Sequence, residues 1–157
     1  MDTTTSPTPG SAALRRGRTS IAGQHYLVTF TTARRTPHFA DADVAMCAAR
    51  VVEDTRLWVD ARLLAWVLMP DHWHGLIELG ARDDLSGLVQ RLKANTARCV
   101  SAAHPAIGRV WEKGYHDHAL RTEESLADAA RYLVMNPVRA GLAGHVGDYP
   151  FWDAVWV

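Results

Sequence analysis

Between Trp66 and Leu79 the chain reads WVLMPDHWHGLIEL, two apolar runs broken by a Pro-Asp pair. Proline cannot donate to a ladder and Pro-Asp favours a turn, so the two runs fold back on each other as antiparallel strands. Side chains alternate along a strand, which sends His72 and His74 to one side and Trp73, Ile77 and Leu79 to the other. Two imidazoles on one face at the start of a strand make half a site for a divalent metal. His-x-His is a weak motif by itself. Surface or core histidines alternating with a tryptophan account for it equally well, and the rest of the chain has to decide.

With 157 residues, 48% of them hydrophobic and 22% charged, the chain fits a single globular domain with its own core. Lys plus Arg and Asp plus Glu both number 17, so net charge names no partner. The distribution of charge says more. Residues 1–40 hold Arg15, Arg16, Arg18, Arg34 and Arg35 against Asp2, a net of +4. Residues 85–116 hold Arg91, Lys93, Arg98, Arg109 and Lys113 against Glu112, again a net of +4. Local basic surface on a neutral protein suits an anionic polymer, although either cluster also fits a solvated face. Cys47 and Cys99 have no metal or redox spacing and no apolar run is long enough for a membrane span. With an N-terminus lacking the apolar core of a signal peptide, this implies a reducing, cytoplasmic setting.

Residues 1–19, rich in Thr, Ser, Pro and Gly and ending in arginines, are expected to form a mobile basic arm, with one domain over 20–157. QHYLVTFTT at 24–32 predicts a strand. Asp41 caps a helix predicted to run to Leu57, and ARLLAWVLM at 61–69 predicts a strand covered on both faces. After the His72–Leu79 strand, Asp83 or Asp84 caps a helix to about Ala103 with Leu85, Leu88, Val89, Leu92 and Thr96 as its buried stripe. A short strand is expected around Val110 and Trp111, then a kink at Gly114 and a second extended piece. Thr122 caps a third helix, with Glu123 and Glu124 in its first turn. Pro137 ends that helix or breaks it before another turn, and the aromatic tail from Tyr149 packs across the domain's edge. The βαββαβ order predicts an α+β, ferredoxin-like antiparallel sheet with helices on one face, plus an added helix carrying Tyr132. In that plan the first and third strands are the inner ones.

Tyr132 and Asn136 lie one helical turn apart, off the packing stripe of the third helix. The amide oxygen of Asn136 can complete the ligands that two histidines leave short, and Tyr132 would then face whatever the metal polarises. A free phenol, with a pKa of roughly 10, is a poor nucleophile. A metal drawing charge from a phosphodiester would help it form a covalent phosphotyrosine. Taken singly, Tyr132 also fits a packing aromatic and Asn136 a turn residue before proline.

PDHWHGLIEL followed by RYLVMNPVRAGL resembles the IS200/IS605-like transposases of the HUH, single-tyrosine (Y1) superfamily. It resembles more narrowly the REP-associated tyrosine transposases, whose tyrosine helix reads Tyr-x-x-x-Asn-Pro-Val-x-x-Gly. The likeness spans roughly 24–156 and includes the Trp-x-x-Gly-Tyr-His-Asp run at 111–117. It implies His72 and His74 as metal ligands, Tyr132 as nucleophile and Asn136 at the position that completes the metal site, where insertion-sequence relatives commonly have Gln. It further implies Mg²⁺ or Mn²⁺ as cofactor and single-stranded hairpin DNA as partner. Cleavage would give a 5′-phosphotyrosine and a free 3′-hydroxyl, followed by strand transfer. Arg15, Arg16, Arg18, Arg91, Lys93 and Arg98 are then candidate phosphate contacts. The resemblance leaves open a monomer or a helix-exchanging homodimer.

Tyr115, in GYHDH, is a second candidate nucleophile, but no amide lies one helical turn from it. Trp73 suits core packing behind the site better than base stacking. Two other functions fit the residues less well. One is a non-catalytic hairpin-DNA or RNA-binding module, and a domesticated transposase of that kind would read almost identically. A metal-dependent phosphohydrolase using activated water would want carboxylate ligands, for which only Asp71 and Glu78 are near.

Overall fold

The computed structural model describes residues 23–120 and 125–156. Five antiparallel strands form one sheet: β1 (His25–Thr31), β2 (Ala61–Met69), β3 (His72–Leu79), β4 (His116–Ala119) and β5 (Trp152–Ala154), in spatial order β4-β1-β3-β2-β5. The His-x-His strand is therefore central. Its register sets Thr29 opposite His74 and Thr31 opposite His72 on β1, with Val67 and Met69 opposite them on β2.

Helices α1 (Ala42–Val52) and α2 (Leu85–Ala103) pack on each other and on one sheet face, where Tyr26, Val28, Phe30, Trp66, Leu68, Trp73 and Ile77 are buried. Helix α3 (Leu126–Val134), continued after a break by α4 (Asn136–Arg139), lies on the opposite face with Leu64, Val67, Met69, Leu76, Leu133 and Val134. A register shift between Leu63 and Ala65 accounts for the doubly apolar sequence of β2. The extra residue reverses the alternation, so Trp66 and Leu68 fill one core while Leu64, Val67 and Met69 fill the other. Among the described residues no helix is long and apolar enough to cross a membrane.

Caps form where short polar side chains precede apolar stripes. Asp41 accepts from the amides of Asp43 and Val44, and Asp84 accepts from Gly87. Three expectations are corrected. Helix α1 stops at Val52 rather than Leu57, because Asp54 is extended and its carboxylate caps Arg56 to start a separate 3₁₀ turn. Val110 and Trp111 make only an isolated bridge, Thr32 to Trp111, and the fourth strand is the later His116–Ala119. The aromatic tail does more than pack: Trp152–Ala154 pairs with β2 as a fifth strand. The Thr122 cap, Glu123 and Glu124 lie outside the described residues, within which Ser125 caps α3 through Asp128 N–H.

Trp73 is fully buried and stacked on Phe30, ring centroids 4.9 Å apart, which settles it as core rather than a base platform. Its indole folds over Gly75, where an added Cβ would stand 2.0 Å from Cη2. Glycine at 75 is thus required for space. Gly75→Ala is expected to destabilise the protein by about 2–3 kcal/mol through overpacking, read as a lowered urea midpoint. Gly144→Ala, at a position with nothing within 4 Å, should leave the midpoint nearly unchanged.

Candidate metal and tyrosine site

His72 and His74 stand on the α3 face of the sheet with ring centroids 4.6 Å apart and planes nearly perpendicular. Each ring is held by its Nδ1. His72 Nδ1 lies 2.7 Å from Asp71 Oδ1, and His74 Nδ1 lies 2.6 Å from Thr29 Oγ1. With protons on Nδ1, both imidazoles donate to these oxygens and turn their Nε2 lone pairs outward, the arrangement that orients metal-ligating histidines. Among the described residues no hydrogen bond claims either Nε2.

Asp71 also accepts from Arg35 Nε at 3.0 Å. Burial alone would raise its carboxyl, but the hydrogen bond and charge of His72, then Arg35, outweigh burial and hold it below its usual range. His74 is pushed down to about 4, first by burial and then by the positive charges of His72, Arg139 and Arg35. Neutral imidazole at ordinary pH is the form that binds metal.

The break between α3 and α4 gives Asn136 its orientation. Pro137 has no N–H for the carbonyl of Leu133, four residues back, and the Asn136 side-chain amide donates there instead at 2.8 Å. One N–H of the side-chain amide is thereby used, and among the described residues Oδ1 accepts no hydrogen bond. Two imidazole nitrogens and one amide oxygen suit a divalent cation that takes its remaining ligands from water or phosphate. No group of three or more His, Cys, Asp or Glu that could hold a metal occurs among the described residues. Any such centre here depends on the amide.

Helix α3 crosses β2, β3 and β5, and Leu133 and Val134 anchor it over Val67 and Met69, the β2 partners of the histidines. Tyr132, between those anchors and Arg131, is 68% exposed. A packing role for its ring is thereby set aside. Arg139 lies over the ring, its Cζ 3.9 Å from the centroid. Tyr115 instead packs against the core on the other face and hydrogen-bonds Ser86 Oγ at 2.8 Å.

The basic residues separate. Arg15, Arg16 and Arg18 lie outside the described residues. Arg91 pairs with the buried carboxylate of Asp83 and donates to the carbonyl of Leu57. Lys93 donates to the carbonyls of Glu112 and Gly114. Arg98 is exposed, with one contact to Asn95. All three belong to α2, across the sheet from the histidines. The two carboxylates near the histidines are already engaged, Asp71 as above and Glu78 by His25 and Arg62. The sequence does not single out Thr29 or Arg139, and it marks Arg35 only as part of the basic cluster in residues 1–40. Only Thr29's pairing register and the break before α4 bring Thr29 and Arg139 to the site.

In metal-free protein His74 imposes a pH dependence whose sign is fixed. The unfolded side chain takes a proton near 6.5 and the folded one only near 4. Between these values the unfolded state binds more protons, so stability is at its plateau above 6.5 and falls with falling pH, by up to about 3 kcal/mol near pH 4. Urea midpoints in EDTA should drop from pH 7 to pH 4.5, and His74→Gln should flatten that drop.

A family model described as "Transposase IS200 like" matches residues 20–136, a span that contains both histidines, Tyr132 and Asn136. A REP-associated tyrosine transposase of Escherichia coli (strain K12) is 29% identical over 89 residues, covering 55% of this chain and 50% of that protein. An uncharacterized protein of Haemophilus influenzae is 25% identical over 99 residues, covering 49% of this chain and 54% of that protein. The chain thus spans about half the length of the curated relatives it matches. A solved REP-associated tyrosine transposase bound to a REP hairpin shares the fold, with a TM-score of 0.67 and 22% identity over 86% of this chain and 79% of that one. On the extent of the family match, this chain belongs to the IS200-like transposases.

Proposed function

We propose that this protein is a metal-dependent single-strand DNA endonuclease and strand transferase that acts on hairpin-forming, REP-like DNA through a 5′-phosphotyrosine. The observation that carries the reading is an exposed phenol on a helix that packs on the sheet face carrying two imidazoles, whose Nδ1 atoms are both hydrogen-bonded. Family membership and the hairpin bound by the structural neighbour support it.

His72, His74 and Asn136 would hold Mg²⁺ or Mn²⁺, which when bound draws charge from a non-bridging phosphate oxygen and makes phosphorus more electrophilic. The phenolic oxygen of Tyr132 attacks phosphorus in line with the 3′ oxygen. The new P–O bond to tyrosine forms as the P–O3′ bond breaks; the phenol's proton goes to water and the 3′ oxygen takes one up. The products are a 5′-phosphotyrosine and a 3′-hydroxyl. Because a phosphodiester is exchanged for a phosphodiester, a second 3′-hydroxyl can attack the linkage and free the tyrosine. Asp71 and Thr29 keep the imidazoles in the tautomer that presents Nε2. Arg35, beside Asp71, and the exposed Arg98 are proposed phosphate contacts. The same role is proposed for Arg15, Arg16 and Arg18. Arg91 and Lys93 would meet DNA only with donors left over from their internal bonds.

Single-stranded hairpin DNA incubated with Mn²⁺ should give a protein–DNA adduct that survives denaturation. EDTA and Tyr132→Phe should each abolish it, while Tyr115→Phe keeps it. An adduct from Tyr132→Phe equal to wild type refutes the nucleophile, and cleavage without any adduct favours hydrolysis by water. Asp71→Ala is expected to weaken Mn²⁺ binding by about 10–100-fold in calorimetry.

A further inference from the structure

Tyr132 has an unusual position for a group that must meet phosphorus in one direction. It is 68% exposed, and among the described residues no hydrogen bond and no second ring restrains it. An exposed tyrosine samples several rotamers in nanoseconds, whereas in-line attack needs one of them. The restraint that is present comes from Arg139, whose guanidinium carbon lies 3.9 Å from the ring centroid.

That contact depends on local geometry. Seven residues separate Tyr132 from Arg139, about 10 Å along a helix. Helical Cβ atoms lean toward the N-terminus, so a long side chain at 139 reaches back over the preceding turns. Arg139 ends α4, the short helix that opens with Asn136 and packs on β2. The residue over the phenol and the amide proposed as a metal ligand therefore share one short helix, three positions apart. The charge of Arg139 is also felt at His74. Arg139 lies beyond the span matched by the family model, which stops at Asn136.

We propose that Arg139 is the positioning residue for the nucleophile: its guanidinium stacks on the ring of Tyr132 and selects the rotamer that faces the histidine pair. The planar guanidinium suits this better than an ammonium, since it lies flat on the ring as a cation and as a plate. The proposal rests on the nuclease reading for its kinetic consequence but not for the contact.

Two measurements separate the two ideas. In metal-free, DNA-free protein with ring-labelled tyrosine, the Tyr132 resonance, assigned with Tyr132→Phe, should move in Arg139→Ala and move less in Arg139→Lys. An unmoved resonance overturns the positioning role whatever the enzyme does. In single-turnover adduct formation at saturating hairpin, Arg139→Ala should be slower by about tenfold or more. Its hairpin affinity should stay within about threefold and its melting temperature should match wild type, with Arg139→Lys recovering part of the rate. Lost affinity with an unchanged rate would make Arg139 a phosphate contact and overturn the proposal. If wild type forms no adduct, the nuclease reading fails, and the ring resonance alone decides whether Arg139 holds Tyr132.

Discussion

Pairing of β1 with β3, Thr29 opposite His74, is the constraint on which the rest of the structure depends. Strand alternation has a period of two, so a slip by one residue would exchange the faces of the whole strand. In the observed register Trp73 is stacked on Phe30 in the α1/α2 core, and the same alternation delivers both histidines to the α3 face. The slipped register would take the indole out of its stack on Phe30 and turn two imidazoles into the apolar α1/α2 core. The apolar core thus enforces the geometry of the polar site without touching it. Gly75 belongs to this device, since it vacates the space that the Trp73 ring fills.

On the other face, two short polar devices do the aiming. Asp71 and Thr29 occupy the Nδ1 edges of the histidines, and Asn136 satisfies the carbonyl that Pro137 orphans. Each is cheap, because each also satisfies a polar group the fold would otherwise leave unpaired. Arg35 and Arg139 make this face electropositive, which favours an anionic ligand and a neutral His74. Two apolar cores, one per sheet face, let helix α3 lie against a sheet whose other side is already closed.

The basic residues of α2 carry internal contacts that charge patterning does not reveal. Of the candidate phosphate contacts Arg91, Lys93 and Arg98, the first also neutralises the buried Asp83 and the second ties Glu112 and Gly114 to the helix. Sequence spacing places them on a helix face. It does not say that a neighbouring loop has carbonyls or a carboxylate waiting there. The failed strand at Val110 and Trp111 has the same origin: β-forming residues need a partner edge, and β1 offers its edge to His116–Ala119 instead.

Local sequence by itself determined the cap at Asp41, a cap at Asp83 or Asp84, the hairpin at Pro70-Asp71, the buried stripe of α2 and the shared face of His72 and His74. These follow from periodicity, turn chemistry and side-chain hydrogen bonds within a few residues. That Tyr132 and Asn136 act with the histidine strand, some sixty residues away, is an expectation carried only by the spaced motifs. Tertiary structure decided the rest: the fifth strand, Thr29 behind His74, the exposure of Tyr132 and Arg139 over its ring. Such features arise from long-range pairing and from a helix break whose direction depends on packing, and neither is encoded in the spacing of nearby residues.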